Sequence, residues 1–306
     1  MSAVEAEAPA RPRRYLLERQ GVLAPLLLAP AILYIFALVA VPFFLAIIYS
    51  LSDVTIGDPS IDLVGLDNFR AVLQDRVFRR SLRNSVVMTS ATMLLVVVVA
   101  RVLALVLTQN FRGKWLVRFL ILLPWTTPVS LAAIVWLWML DSLFSPIDWT
   151  LRYLGLIDGS LNWLGNPDLA PVSVVLVQVW RIVPLAAVII MAGIVAIPDE
   201  IYDAARVDGA GFWRTQFEIT NPLIMPVTAV AVLFGAVVVF ADMSVPYVLT
   251  RGGPIDATQV LPTWAFFRGI QGGDLAQGAA IALFAFPVLA AMAIAILRAV
   301  RRMDIG

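Results

Sequence analysis

The longest polar interruption in the second half of the chain reads PDEIYDAARVDGAGFWRTQFEITNP, from Pro198 to Pro222. Its start predicts a short helix, because the carboxylate of Asp199 can cap the free amides of the first turn. Gly209 stands where a left-handed helix cap is needed, and glycine adopts that conformation at the lowest cost. The remainder predicts a second short amphipathic helix, which ends at Asn221 and Pro222.

Two capped helices make a costly connector, since a plain loop between apolar segments is usually shorter and less patterned. Ala204 and Ala205 leave one face of the first helix almost without side chains, so another surface can approach its backbone closely. We interpret the 198–222 loop as a docking element for another protein. A plain connector between membrane helices is the alternative.

Several positions in this loop resemble the EAA loop of binding-protein-dependent ABC importer permeases. That signature runs Glu-Ala-Ala, three residues, Gly, nine residues, Ile, one residue, Leu-Pro. Asp203 stands here for the Glu and Asn221 for the Leu, and the spacing is kept throughout. The resemblance implies that the loop docks into a cleft on a cytoplasmic ATPase subunit. The implied coupling residues are Asp203, Ala204, Ala205, Asp208, Gly209, Ile219 and Pro222.

The composition is that of a membrane protein, because 61% of the 306 residues are hydrophobic and only 14% are charged. Cys and His are absent from the sequence, which excludes disulfides, thiolate or imidazole metal sites, Cys nucleophiles and His general bases. The net charge of +1 indicates no bulk attraction to nucleic acid. The sequence also has no Gly-x-x-x-x-Gly-Lys-Ser/Thr loop, so ATP hydrolysis through such a loop is excluded.

Apolar runs long enough to cross a bilayer recur along the chain and predict an all-α integral membrane protein. The expected spans are about 22–51, 84–108, 116–140, 171–197, 220–246 and 277–299. An even number of spans puts both termini on one side, and the arginines at 11, 13, 14 and 19 favour the cytoplasm by the positive-inside rule. We therefore expect a cytoplasmic tail at 1–20, a transmembrane domain at 21–300 and a cytoplasmic tail at 301–306.

Polar and aromatic side chains within the spans are candidates for a solute path. Pro124 and Pro128 predict a kink that frees backbone carbonyls, which a membrane tolerates only against protein or a water-lined cavity. A packing kink without function is the alternative. An intramembrane Arg181 costs about 2.5–3.5 kcal/mol unless it is paired or hydrated, so it marks either a functional site or a structural partner of Asp242 or of a carbonyl near Pro184. The path candidates are Trp125, Thr126, Trp180, Arg181, Asp242 and Tyr247.

The segment from Leu249 to Pro254, with Thr258 beyond it, resembles an outer-loop motif of one branch of the same family. That branch is the larger-half permease of carbohydrate importers, similar to the maltose and glycerol-phosphate systems. Gly252, Gly253 and Pro254 form a rigid tight turn that can rest against a large neighbour. We expect this turn to contact an external binding protein.

The resemblance implies the six-transmembrane-helix fold of type I ABC importer permeases, with a cytoplasmic coupling helix, in the bacterial plasma (inner) membrane. It implies a sugar or sugar-like solute: an oligosaccharide, a polyol or a glycerol-phosphate compound. The implied partners are a second related permease subunit, two ATPase subunits that carry ATP and Mg²⁺, and an extracytoplasmic solute-binding protein. ATP binding would close the ATPase pair and rock the spans from inward-open to outward-open.

Two other classes of protein compete with this interpretation. A stand-alone secondary transporter predicts paired intramembrane carboxylates or an inverted repeat, and the 198–222 pattern has no second copy near 109–118. An intramembrane enzyme needs catalytic side chains, but the sequence has no His, no Cys and no paired acidic motif in its spans.

Overall fold

The computed structural model describes residues 20–303 and, for side chains, residues 23–298. This described part is helical and contains no β-strand beyond an isolated bridge between Ser52 and Leu63. The all-α prediction is therefore confirmed. The predicted tail at 1–20 falls almost entirely outside the described residues, as does 304–306 of the predicted C-terminal tail.

The helices fall into two units, residues 1–48 and 49–306. The first is formed by α1 (Gln20–Ile35), a π-helical turn (Phe36–Ala40) and α2 (Val41–Ser50), which ends just beyond it. The second begins with α3 (Asp67–Gln74), α4 (Arg76–Thr108), α5 (Lys114–Thr126), α6 (Val129–Met139), α7 (Pro146–Tyr153) and α8 (Leu169–Val195). It continues with α9 (Asp199–Val207), α10 (Phe212–Arg214), a π-turn (Thr215–Thr220), α11 (Asn221–Phe240), α12 (Ser244–Thr250), α13 (Leu261–Phe266), a π-turn (Phe267–Gln271), α14 (Leu275–Leu283) and α15 (Ala285–Met303).

Five helical stretches in the described residues are long and apolar enough to cross a membrane. A sixth span results if α5 and α6 are counted together, since they are bent by 95° around Thr127 and Pro128. The predicted kink is thus confirmed. The first stretch, Leu23–Ser50, has a mean hydropathy of 2.8, and its side chains are largely exposed and available to lipid.

The core of the second unit is formed by α4, α8 and α11, which pack against one another along much of their length. Small side chains such as Ala100, Ala104 and Ala187 are fully buried at these contacts. Membrane helices depend on such residues because lipid gives little hydrophobic drive, so close packing must hold the helices together. Gly235 shows how close the packing is, because a Cβ there would lie 2.9 Å from the sulfur of Met93.

The fifth and sixth predicted spans differ from the structure at their ends. α11 stops at Phe240 rather than near 246, because Asp242 accepts hydrogen bonds from the amides of Ser244 and Val245 and so begins a new helix, α12. The last helix continues through Met303, so helix extends past the end of the sixth predicted span into the residues assigned to the C-terminal tail.

The second unit has two ends, which α4 connects. Near its start, the side-chain amide of Asn84 donates to carbonyls of the 256–259 loop. Near its other end, Arg101 donates to the side chain of Gln216, 2.7 Å away in the 198–222 loop. The 198–222 loop and the Gly-Gly-Pro turn therefore lie at opposite ends of the bundle.

Candidate functional site

The 198–222 loop contains a helix that a glycine ends in a Schellman motif. The amide of Ala210 donates to the carbonyl of Ala205 at 2.9 Å, and the amide of Gly209 donates to that of Arg206 at 3.1 Å. Both bonds need a left-handed residue after the helix, and Gly209 supplies it with φ of +73°. The predicted glycine cap is confirmed.

The start of α9 differs from the prediction. Pro198 is the N-cap residue and Asp199 is already the first helical residue, so its carboxylate lies past the capping position and makes no cap hydrogen bond. Its charge still lies in the first turn, where the helix dipole favours it.

The signature residues of α9 divide between two faces. Ala205 is buried within the chain, whereas Ala204 is exposed. Asp203 is exposed and pairs with Arg206 at 2.7 Å, and Asp208 is the exposed C-cap residue. Asp203 and Ala204 therefore face outward. The two alanines do not share the one open face that the sequence predicted, because Ala205 faces the interior of the chain.

The second helix of the loop does not end at Asn221 and Pro222, contrary to the sequence prediction. Helix runs without a stop from Phe212 to Phe240, with a π-helical turn over Thr215–Thr220. The amide of Asn221 donates to the carbonyl five residues before it, that of Gln216. A proline normally clashes with the carbonyl four residues before it, and a wider π-turn directly before Pro222 relieves that conflict. Ile219 is half-buried within this turn.

An aromatic surface on this loop escaped the sequence analysis. Trp213 stacks on Phe217 with ring centroids 5.9 Å apart, and Phe212 meets the edge of Trp213. All three are exposed, as is Val207, which is 87% exposed. The signal was present in the sequence, since Trp213 and Phe217 are four residues apart and so share one helix face.

A cleft of about 700 Å³ separates α9 from the end of α4. Its lining includes Thr108, Asn110, Ile197, Tyr202 and Arg206. The hydrogen bond between Arg101 and Gln216 crosses from α4 to the loop. This hydrogen bond joins the loop directly to a core helix.

Within the spans, the structure brings together two of the six path candidates. A guanidinium nitrogen of Arg181 lies 3.7 Å from a carboxylate oxygen of Asp242, and both side chains are 9% exposed. Gln178, missed by the sequence analysis, donates to the other oxygen of Asp242 at 2.6 Å. It lies three residues before Arg181 on the same helix face, which is the signal that could have found it.

A small cavity of about 20 Å³ adjoins this pair and is lined by Thr92, Gln178 and Asp242. Its volume matches one water molecule. Several buried polar atoms in this region have no hydrogen-bond partner among the described residues: Thr92 Oγ1, Gln178 Oε1, and Arg181 Nε and Nη2. The arrangement is a polar network between α8 and the break after α11, and Thr92 of α4 lines the cavity beside it.

The other path candidates lie apart from this network. Trp125 packs on Phe234 and exposed Thr126 donates to the carbonyl of Leu123. The remaining two belong to other aromatic contacts: Trp180 meets the edge of Trp136, and Tyr247 packs against Phe266 and Phe267.

The Gly-Gly-Pro turn is closed by the two threonines of its motif. The hydroxyls of Thr250 and Thr258 are 2.5 Å apart, and that of Thr258 also donates to the carbonyl of Gly253 at 2.7 Å. Gly252 has φ of +85°, and a Cβ there would collide with the side chain of Gln259. The predicted tight turn before Pro254 is present and is closed by hydrogen bonds.

The apolar spans, one of them formed by a bent helix pair, are those of an integral membrane protein with an exposed loop at one end and a hydrogen-bonded turn at the other. The family model described as "Binding-protein-dependent transport system inner membrane component" matches residues 96–304. The chain therefore belongs to this family and is a permease subunit of an ABC importer.

The chain is similar to permeases with a range of named solutes. It is 31% identical over 92% of its length to the sulfoquinovosyl glycerol transport system permease protein SmoG of Agrobacterium fabrum, of which it covers 92%. It is also 31% identical, over 92% of its length, to the trehalose/maltose transport system permease protein MalF of Thermococcus litoralis, of which it covers 94%.

The fold is shared with a chain of a bacterial ABC transporter involved in the import of the acidic polysaccharide alginate. The TM-score is 0.78 at 20% identity, and the match covers 94% of this chain and 97% of the other. A second structure of the alginate transporter, in complex with an alginate pentasaccharide-bound periplasmic protein, matches with the same TM-score.

Proposed function

We propose that this chain is one permease half of a carbohydrate importer, paired with a second related permease subunit. Two ATPase subunits, which bind ATP and Mg²⁺, would serve the permease pair, and one of them would dock on the 198–222 loop from the cytoplasm. A solute-binding protein would dock at the opposite end, next to Gly252, Gly253 and Pro254. Both chain termini would then be cytoplasmic.

The observation that carries this proposal is the exposed surface of the 198–222 loop. Asp203, Ala204 and Asp208 lie on the outward side of α9, and the aromatic side chains of Trp213 and Phe217 lie exposed beyond the glycine cap. Buried aromatic side chains dominate many protein interfaces, so exposed stacked ones indicate a partner. The loop is held to α4, which can carry the partner's motion into the core.

The proposed solute is a sugar or sugar-like compound. The solutes in the names of the chain's relatives support this proposal. In this proposal Arg181 and Asp242 neutralise each other and set the break between α11 and α12, rather than presenting a free charge to solute. Trp125, Thr126, Trp180 and Tyr247 remain the proposed solute contacts, because aromatic faces and hydroxyl edges suit sugars. Rigid-body rocking of the spans would then alternate access to them.

The test is transport in vesicles that contain the complete complex with ATP inside. Uptake of a panel of labelled neutral and acidic mono- and oligosaccharides would be measured with and without the binding protein that the native cell supplies. We expect saccharide uptake that requires both ATP and the binding protein. Uptake driven by an ion gradient without ATP would instead support a stand-alone secondary transporter and contradict the proposal.

A further inference from the structure

Four arginines follow one another on the first turns of α4: Arg76, Arg79, Arg80 and Arg83. Their spacing of three, four and seven residues places them on one side of the helix. They line an open cleft of about 610 Å³. Its other walls are Asn84, Val87, Met88, Pro167, Pro171 and Ala257.

Among the side chains that the structure describes, at residues 23–298, no carboxylate forms an ion pair with these four arginines. The ion pairs that the described residues do form involve the arginines at 70, 181, 206 and 214. Like charges at such spacing repel one another and destabilise a helix. Three of the four side chains are exposed and Arg80 is half-buried, so the cluster presents concentrated positive charge at the surface that an external anionic group can balance.

The position of the cleft indicates where such a group comes from. Asn84 donates to the carbonyls of Asp256, Ala257 and Gln259 at 3.0–3.1 Å, which joins the cleft to the loop of the Gly-Gly-Pro turn. Pro167 and Pro171 close the opposite wall at the start of α8. The cleft thus lies between connecting loops, at the end of the bundle remote from the 198–222 loop.

We propose that this arginine cleft docks an acidic patch of the extracytoplasmic solute-binding protein. This inference rests on the proposed function, which places that protein at this end of the bundle. The seven helical steps from Arg76 to Arg83 extend about 10 Å, which matches a surface patch with several carboxylates better than one lipid headgroup. Guanidinium groups bind carboxylates in paired hydrogen bonds, so each arginine can hold an acidic side chain.

The arginines act mainly on the encounter between the two proteins. Complementary charges at the rim of an interface raise the association rate and make it depend on salt. The rigid turn at Gly252 and Gly253 then supplies the fixed surface against which the docked protein rests. Charge therefore steers the binding protein, while the turn sets its position.

The experiment uses the assembled transporter in nanodiscs of phosphatidylcholine, with the binding protein from the same cell. The variant is Arg79→Gln with Arg83→Gln. The measured quantity is the concentration of binding protein that gives half-maximal stimulation of ATP hydrolysis. At about 20 mM salt we expect this concentration to rise about tenfold, and at about 300 mM salt we expect a much smaller difference.

Two matched variants separate charge from other causes. Arg70→Gln with Arg152→Gln removes two charges from the same end of the bundle but outside the cleft, and should leave the concentration within about twofold of wild type. Arg79→Lys with Arg83→Lys keeps the charge and should restore most of the response, because steering depends on charge rather than on shape.

Several results would overturn the inference. Equal responses of wild type and the Gln variant exclude the binding protein as occupant. Loss of the second permease from the purified Gln variant assigns the cleft to that subunit. The measurement is repeated in nanodiscs that contain anionic lipid and with an acidic solute, and a defect of the Gln variant that is seen only under one of those conditions assigns the cleft to that anion. A wild-type complex that never responds to the binding protein overturns the proposed function, and this inference with it.

Discussion

Replacing Gly209 by Val should uncouple the 198–222 loop from its partner without disturbing the rest of the chain. No atom lies within 4 Å of a Cβ built on Gly209, so the added side chain has room. The whole cost is conformational, because φ is +73° and an L-residue in that region costs about 1–2 kcal/mol. A β-branched side chain falls at the upper end of this range or above it.

An energy of this size lowers the population of the native turn about 5- to 30-fold relative to competing turns. The two Schellman hydrogen bonds, from Gly209 and Ala210, would be lost together, and α9 would no longer hold its angle to the aromatic surface. We expect ATP-driven uptake to fall by a similar factor, while the amount of chain in the membrane stays normal. The assay is uptake per mole of chain in vesicles, with chain quantified by immunoblot.

Gly211 offers a matched control two residues away. Its φ is −71° with extended ψ, it is the N-cap of α10, and nothing lies within 4 Å of its Cβ position. Gly211→Thr adds a side chain of the size of Val at a position where Thr caps well, so uptake should be nearly unchanged. Uptake by Gly209→Asn should lie between that of wild type and that of Gly209→Val, since Asn tolerates the left-handed region. Full uptake by Gly209→Val, or equal losses in both the Val and the Thr variants, would refute the reasoning.

Three further substitutions test other parts of the molecule. Asp242→Asn leaves the charge of Arg181 buried and unpaired, so the unfolding free energy should fall by about 3 kcal/mol. The double variant with Arg181→Met should regain at least part of that loss. Thermal unfolding in detergent measures both variants, and an unchanged midpoint for Asp242→Asn would contradict the pairing. Asn84→Ala removes three hydrogen bonds to the 256–259 loop, which should become sensitive to limited proteolysis while the rest of the chain stays resistant. Trp213→Ala should weaken the binding of the ATPase subunit by about 2 kcal/mol, so less ATPase should co-purify with the chain. Trp149→Ala replaces another exposed, stacked aromatic residue, in α7, and should leave the co-purified amount unchanged. Equal amounts with both variants would exclude the aromatic surface from docking.

Local sequence signals predicted the parts of the fold that local chemistry decides. The cap at Gly209 follows from the need for a left-handed residue after α9, and the bend between α5 and α6 follows from two nearby prolines. Both depend on a few consecutive residues. The same is true of the turn at Gly252 and Gly253, whose two flanking threonines join only across a tight loop.

Features that depend on tertiary contacts were not predictable in this way. Pro222 looks like a helix stop, and only the π-turn before it lets the helix continue. The spacing of Gln178 and Arg181 places them on one helix face, but the contact of Gln178 with Asp242 depends on the fold, which brings the two helices together. The arginines of α4 were visible in the sequence, but their cleft is formed by loops 80 or more residues further along the chain.

Co-purification of the chain from its native cell tests the central claim most directly. The chain would be tagged, solubilised gently and isolated, and the proteins bound to it would be identified by mass spectrometry. The account predicts an ATPase subunit and a second permease with a similar set of apolar spans. A chain that is recovered alone, or only with copies of itself, would contradict the role assigned to the 198–222 loop.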